Sequence, residues 1–155
     1  MLQRIQTVWL FLASLAIFLL FIFPLIYINI NGMAMAIKVT GVYHSVANGQ
    51  ALRTESFVLL SVITIAVALL PLIVISFYKN RKTQLSIAYI AILLVLVYSF
   101  WLAQTAKGVV GNAELQLQNY GIGMILPSVG ILFIILAIKG IRKDEKLVRS
   151  ADRLR

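Results

Sequence analysis

Residues 57–78 read "FVLLSVITIAVALLPLIVISFY", an apolar segment that contains no Asp, Glu, Lys, Arg or His. An α-helix rises about 1.5 Å per residue, so a segment of this length can cross the roughly 30 Å hydrocarbon layer of a bilayer. Further apolar runs lie at 5–28, 85–103 and 122–138. The chain is 61% hydrophobic and 12% charged, whereas soluble domains are about 45–50% apolar. We predict an all-α membrane protein, in which residues 1–155 form one integral membrane domain with a four-transmembrane-helix bundle.

The first apolar run has a second interpretation, as a signal peptide that is removed. Met1–Arg4 resembles the basic start of such a peptide, and Ala34-Met35-Ala36 matches the small-residue pattern of a cleavage site. The apolar core of a signal peptide, however, spans only about 7–15 residues. The greater length of the run at 5–28 therefore favours a helix that stays in the protein.

Basic residues predict the direction in which the chain crosses the membrane. Of the 14 Lys and Arg residues, 11 fall with the two termini and the loop between the second and third runs. Only Lys38, Arg53 and Lys107 fall on the other side. Because short loops rich in Lys and Arg stay in the cytoplasm, we predict a multi-pass protein of the bacterial inner membrane with both termini inside.

The two loops on the outer side carry strand signals. The segment "INGMAMAIKV" at 30–39 places an Asn-Gly pair, typical of a hairpin turn, before alternating apolar residues. Residues 114–119, "ELQLQN", also alternate and are expected to add a third strand. We interpret Thr54-Glu55-Ser56 as the start of the second helix, with Thr54 as the N-cap. A small β-hairpin or three-stranded sheet is therefore predicted outside the membrane.

Several residues inside the apolar runs have structural interpretations. Prolines within helices are expected to bend them, with the freed carbonyls bonded by neighbouring helices or hydroxyls. Small residues that recur every seven positions predict a close approach, either to the first helix or to a partner protein. Buried hydroxyls and amides are expected to bond between helices. The prolines are Pro24, Pro71 and Pro127, and the small residues are Gly123, Gly130 and Ala137. The hydroxyls and amides are those of Ser61, Thr64, Tyr89, Tyr98, Ser99 and Gln104.

Residue patterns typical of catalysis are missing from the sequence. The chain has no cysteine, and its single histidine, His44, has only the dispersed carboxylates of Glu55 and Glu114 as possible companions for a metal or base site. That set lacks a recognisable ligand spacing. The apolar runs contain none of the ionisable residues that ion and proton pathways require. We therefore predict a protein that is not an enzyme and that binds no cofactor or metal.

The C-terminal segment 142–155, "RKDEKLVRSADRLR", combines mixed charge with a narrow apolar stripe. Leu147, Ala151 and Leu154 recur at helical spacing, so we predict a cytoplasmic amphipathic helix over 141–155. The helix either contacts anionic lipid head groups, docks in a protein groove or on its own bundle, or remains a solvated anchor. No aromatic platform accompanies the charges, so no nucleic acid partner is expected.

The segment "LQRIQTVWLFLA" at 2–13, together with 142–155, resembles a family of small four-pass inner-membrane proteins of Bacteroidota that is known only as a domain of unknown function. The resemblance implies no catalytic residue, cofactor or substrate. Both segments lie on the predicted cytoplasmic side, where they can form one surface. The expected interaction surface comprises Gln3, Arg4, Gln6, Arg142, Lys143, Asp144, Glu145, Lys146, Leu147, Arg149, Asp152, Arg153 and Arg155.

Two functional hypotheses follow. The first is a non-enzymatic accessory or scaffold protein whose cytoplasmic tail contacts a protein partner or anionic membrane lipid. The second is a small carrier or channel for a neutral or lipid-like solute, which uses the bent helices and their hydroxyls. A carrier requires a continuous cavity between the helices, whereas a scaffold does not.

Overall fold

The computed structural model describes residues 2–30, 33–45, 51–78, 80–111 and 116–152. This part of the chain forms four α-helices and one four-stranded antiparallel sheet. The helices are α1 (Leu2–Phe18), α2 (Val58–Ser76), α3 (Arg81–Val110) and α4 (Leu126–Asp152). The strands are β1 (Ile26–Ile30), β2 (Met33–Lys38), β3 (Gly41–Ser45) and β4 (Ala51–Ser56). Short 3-10 turns lie at Leu19–Phe21, Leu117–Asn119 and Ile122–Met124.

The prediction of an all-α four-helix bundle is wrong, because the fold is mixed α and β. Residues 54–56, predicted as a helix N-terminus, belong to β4, in which Glu55 lies opposite Val42 and Leu52 lies opposite His44. The helix itself begins at Val58, and Phe57 at its N-cap makes no side-chain cap. Backbone hydrogen bonds along a whole strand outweigh a capping signal of about 0.5–2 kcal/mol.

The first apolar run, predicted as a helix over 5–28, ends earlier. α1 finishes at Phe18, one 3-10 turn follows, and β1 begins at Ile26. Pro24 lies in this transition; proline lacks an N–H and disfavours helical backbone in the residue before it. Among the described residues, three helices are long and apolar enough to cross a membrane: Val58–Ser76, Arg81–Val110 and Ile122–Lys146. Ile5–Phe21 forms a shorter apolar helix.

The later helices are longer than the apolar runs that predicted them. α3 starts at Arg81, where Asn80 Oδ1 accepts a hydrogen bond from the Thr83 N–H at 3.4 Å. It ends at Gly111, whose positive φ of 61° is easily adopted by glycine. α4 runs through Gly140 without a break as far as Asp152. Residues 141–152 of the tail thus continue the fourth helix, and 153–155 lie outside the described residues.

The sheet covers one end of the helices and has the strand order β1-β2-β3-β4. The predicted hairpin is present, with Ile28 opposite Met35. Ile26, Ile28 and Ile37 are buried on the face that joins the helical core. The predicted third strand at 114–119 does not form in its described part. Instead Leu117–Asn119 is a 3-10 turn, and only Tyr120 makes a single bridge, to Ile26.

Exposure explains why no strand forms there. Leu117 is 91% exposed, so its side chain lies on no buried face. Asn119 Nδ2 instead donates to the Tyr27 carbonyl at 2.8 Å, which ties this turn to the edge of the sheet. Glu114 and Leu115 lie outside the described residues.

α2 and α4 both pack against α3, and α1 completes the bundle by packing against the same two helices. Leu10, Ala13 and Ile17 are fully buried along α1. Gly130 of α4 faces Ala13 and Ile17 of α1 within the chain. Gly123, by contrast, precedes α4 and lies against the Phe23 and Pro24 carbonyls. Ser14 Oγ donates to the Ala68 carbonyl at 2.7 Å, one turn before the buried Pro71.

The middle of the bundle holds polar groups that bond to one another. The hydroxyls of Thr64 and Tyr98 lie 2.7 Å apart, which joins α2 to α3. Among the described residues, every buried side-chain nitrogen or oxygen has a hydrogen-bond partner. These groups therefore stabilise helix contacts, as burial of a polar atom demands.

Candidate functional site

The N-terminal half of α1 and the C-terminal half of α4 meet at the end of the bundle opposite the sheet. Gln6 Nε2 donates to Asp144 Oδ2 at 2.7 Å, and the two residues are 6% and 7% exposed. Gly140 lies beneath Gln6, and a Cβ atom added there would stand 2.8 Å from Gln6 Cγ. α4 therefore comes close enough to α1 for a buried, charge-assisted hydrogen bond to hold it in place.

α3 joins this end of the bundle through its first turns. Arg81 Nη1 donates to the main-chain carbonyl of Asp144 at 2.8 Å. Gln84, which is buried, donates to the Val74 carbonyl of α2 at 3.3 Å. The extension of α4 beyond its apolar run is thus fixed by a side chain from α1 and another from α3.

The outward side of the same α4 segment is basic. A groove of about 510 Å³ is lined by Lys139, Arg142, Lys143, Glu145 and Lys146. The guanidinium carbon of Arg142 lies 5.4 Å from the centre of the Tyr89 ring of α3, within range of a cation–π contact. One side of α4 therefore carries the buried Asp144 and the other carries exposed cations.

Comparison with protein families identifies the domain to which these helices belong. The model of a domain of unknown function, DUF4293, matches residues 2–154. The chain belongs to the DUF4293 family. A comparison with curated proteins found no match. The matched range includes both α1 and the α4 extension, so the Gln6–Asp144 contact lies inside the DUF4293 domain.

The structure brings together the two ends of the DUF4293 chain that form the predicted interaction surface. Gln6 and Asp144 are buried against each other, whereas Arg142, Lys143 and Lys146 are exposed and Glu145 is half-buried. The remaining described members lie in the first turn of α1 or in the last turns of α4: Gln3, Arg4, Leu147, Arg149 and Asp152. Arg153 and Arg155 lie outside the described residues.

Three contributors to this site were missed by sequence reasoning: Arg81, Gln84 and Tyr89. Arg81 was predicted only as part of a basic loop, and Tyr89 was expected to bond inside the bundle. Tyr89 is instead 43% exposed beside Arg142. Helical spacing places residues on a face of their own helix, but it does not say which face a neighbouring helix meets.

The described part of the sheet between α1 and α2 holds no metal centre. His44 lies in β3 between Met35 of β2 and Leu52 of β4, and Glu55 is exposed on β4. No group of three or more His, Cys, Asp or Glu able to hold a metal occurs among the described residues. Glu114, the third member of the hypothetical set, lies outside them.

Proposed function

We propose that this DUF4293 protein is a non-enzymatic accessory or scaffold subunit of the bacterial inner membrane, which offers its C-terminal helix to a protein partner in the cytoplasm. The observation that carries the proposal is the continuity of α4 from Leu126 to Asp152, with its extension fixed by Gln6 and Arg81. A tail fixed in direction is suited to docking, because less conformational entropy is lost on binding.

Helix geometry supports a tail that projects from the membrane. The apolar run ends near Ile138. At about 1.5 Å per residue, Lys146 lies about 12 Å and Asp152 about 21 Å further along the axis. The headgroup layer on each side of a bilayer is only about 5–8 Å thick. With α4 near the membrane normal, residues beyond Lys146 reach the aqueous phase, where a partner protein can contact them.

A fourth membrane crossing by α1 is also part of the proposal. Leu2–Phe18 and the following 3-10 turn together extend for about 30 Å, at about 1.5 and 2.0 Å per residue. Residues 7–21 supply about 24 Å of this length beyond the Gln6–Asp144 contact, close to the roughly 30 Å thickness of the hydrocarbon layer. Four crossings place the basic loop and both termini on one side, in agreement with the preference of Lys and Arg for the cytoplasm.

Labelling of introduced cysteines tests this topology, since the chain has no cysteine of its own. Leu117 and Lys82 are both exposed and lie at opposite ends of α3 and its flanking loops. With a charged maleimide that does not cross the inner membrane, we expect Leu117→Cys to be labelled in intact cells and Lys82→Cys only after permeabilisation. Labelling of Lys82→Cys in intact cells would contradict the proposed orientation.

In-cell photocrosslinking tests the partner. A photoreactive residue placed at Ala151 should form one discrete adduct with a second protein. The adduct should fall at least about tenfold in a chain whose residues 147–155 keep their composition but lose the spacing of Leu147, Ala151 and Leu154, because a groove-binding helix depends on that spacing. Equal adducts from both chains, or none from either, would overturn the scaffold proposal.

The alternative function of carrier or channel has less support. Ser14, Thr64 and Tyr98 use their hydroxyls inside the bundle. Cavities of about 580, 510 and 400 Å³ lie on the sheet, at the α4 extension and beside the outer end of α3, respectively. None of these three cavities is lined by the mid-bundle hydroxyls.

A further inference from the structure

Four basic residues form a stripe on the outward face of α4, immediately after the apolar run: Lys139, Arg142, Lys143 and Lys146. We propose that this basic stripe is a binding site for an anionic phospholipid of the inner leaflet, with a preference for a headgroup that carries two phosphates. The inference rests on the membrane orientation in the proposed function. Binding of a partner protein by the tail does not require this lipid, so the lipid site is a separate proposal.

The spacing of the stripe brings the four charges together. Positions i, i+3, i+4 and i+7 lie on one face of a helix, and Lys139 and Lys146 are separated by about 10 Å along the axis. The stripe lines a groove of about 510 Å³. A site of this length accommodates more than one phosphate, which is why a diphosphate headgroup should bind better than a monophosphate one.

The fold directs one of the two acidic residues of this segment away from the basic stripe, which lessens the repulsion of an anionic headgroup. In the sequence, Asp144 and Glu145 interrupt the basic residues and would weaken attraction to an anionic surface. In the structure Asp144 points into the bundle, where Gln6 donates a hydrogen bond to it. Among the described residues that line the groove, Glu145 is the one acid beside the four cations of the stripe, so this part of the lining carries a formal charge of 4 − 1 = +3. The groove is thus complementary to an anion.

Arg142 is held in a position suited to phosphate binding. Its guanidinium lies beside the Tyr89 ring, so α3 supports the side chain from the bundle side. A guanidinium on an aromatic ring keeps N–H donors in its plane, and these can bind a phosphate in bidentate fashion. The lysines on the same face can extend their ammonium groups to the headgroup level.

Arg81 has a different role, although it lies at the same end of the bundle. Its Nη1 donates to the main-chain carbonyl of Asp144, and Arg81 is not among the described residues that line the groove of the stripe. The orientation of the stripe therefore depends on contacts that a lipid ligand does not touch. This separation allows the stripe to be altered while the bundle is left intact.

Native mass spectrometry of the full-length protein in detergent tests the site with cardiolipin, phosphatidylglycerol and phosphatidylcholine as probes. We expect affinity to decrease in that order. Each cation near an anionic lipid contributes about fivefold, so the double variant Arg142→Gln with Lys143→Gln should bind cardiolipin about 30-fold more weakly. The control variant Lys82→Gln with Lys107→Gln removes the same charge outside the stripe and should change affinity by less than about threefold.

The other outcomes would overturn the site. Equal losses in the two variants would mean that net charge, and not the stripe, attracts lipid. Equal affinity for the three lipids would exclude a site selective for anionic headgroups, because phosphatidylcholine carries a phosphate but no net charge. Competition by millimolar inorganic phosphate that removes the lipid would assign the stripe to free phosphate instead. Displacement of lipid by a soluble phosphate is not expected, because the lipid is also held by its acyl chains in the detergent micelle around the protein.

The chain with rearranged residues 147–155 separates this proposal from the scaffold proposal. It keeps the whole stripe and the photoreactive position 151, so it should bind cardiolipin like the unaltered protein while losing the partner adduct. Lipid binding without any partner adduct overturns only the scaffold proposal. A partner adduct without lipid discrimination overturns only the lipid site.

Discussion

Replacement of Gly123 by alanine is expected to lower the free energy of unfolding by about 3 kcal/mol, the upper part of the range for overfilled cores. Gly123 lies where the chain leading into α4 crosses the link between α1 and β1. Its N–H donates to the Pro24 carbonyl at 3.0 Å, and an added Cβ would stand 2.7 Å from that oxygen and 2.9 Å from the Phe23 carbonyl. Both neighbours are backbone atoms, so they cannot move aside as a flexible side chain can.

Gly130 supplies the matched control, seven residues further along the chain. A Cβ there meets Ile17 Cγ1 at 3.4 Å and the Ala13 carbonyl at 3.6 Å, which is ordinary contact. Alanine also has a helix propensity about 1 kcal/mol better than glycine. Gly130→Ala should therefore leave the melting temperature in detergent unchanged or slightly raised. Similar decreases for both variants would show that small size at these positions matters for some reason other than the contact with Pro24.

The second large effect is expected at the buried pair of Gln6 and Asp144. In the Gln6→Leu variant the Asp144 carboxylate, only 7% exposed, loses the hydrogen bond from Gln6. Leaving a buried polar group without its hydrogen-bond partner costs about 1–3 kcal/mol, and more when that group is charged. We expect a loss of about 3 kcal/mol, because Asp144 is a carboxylate that water reaches only when this end of the bundle rearranges.

Two further variants distinguish the hydrogen bond from simple volume effects. Asp144→Asn keeps an acceptor for Gln6 and should cost about 1 kcal/mol or less. The double variant Gln6→Leu with Asp144→Leu removes both partners and should be more stable than Gln6→Leu alone, because no polar group remains unpaired. Thermal unfolding of all four proteins in the same detergent measures these differences. A double variant that is no more stable than Gln6→Leu alone would contradict the coupling of the two side chains.

Three of the helices were predictable from the sequence, because a helix that can cross a bilayer needs an apolar run of about 20 residues, and such runs are visible in the sequence. The runs at 57–78, 85–103 and 122–138 each correspond to a helix at Val58–Ser76, Arg81–Val110 or Leu126–Asp152. The β1–β2 hairpin was predictable for a similar reason, since an Asn-Gly pair and alternation are local signals. Even the meeting of the two chain ends followed from the expected topology, which places both on one side.

The β4 strand and the end of α1 were not predictable in this way. Strand formation at 51–56 depends on β3, a partner that only the fold brings alongside. α1 ends at Phe18 although the apolar run continues, because the segment after Pro24 is more stable as the edge of a sheet. Periodicity within one segment contains no information about the hydrogen bonds offered by another.

The sequence by itself determined that this chain has membrane-compatible helices and a basic, mixed-charge tail, since hydropathy and charge are sums over neighbouring residues. Tertiary structure alone decided which acid of the tail is hidden. Asp144 and Glu145 are adjacent in the chain, yet Asp144 faces Gln6 while Glu145 lines the basic groove. Successive residues of a helix are rotated by about 100°, so the position of α1 against α4 sends one carboxylate inward and leaves the cations outside.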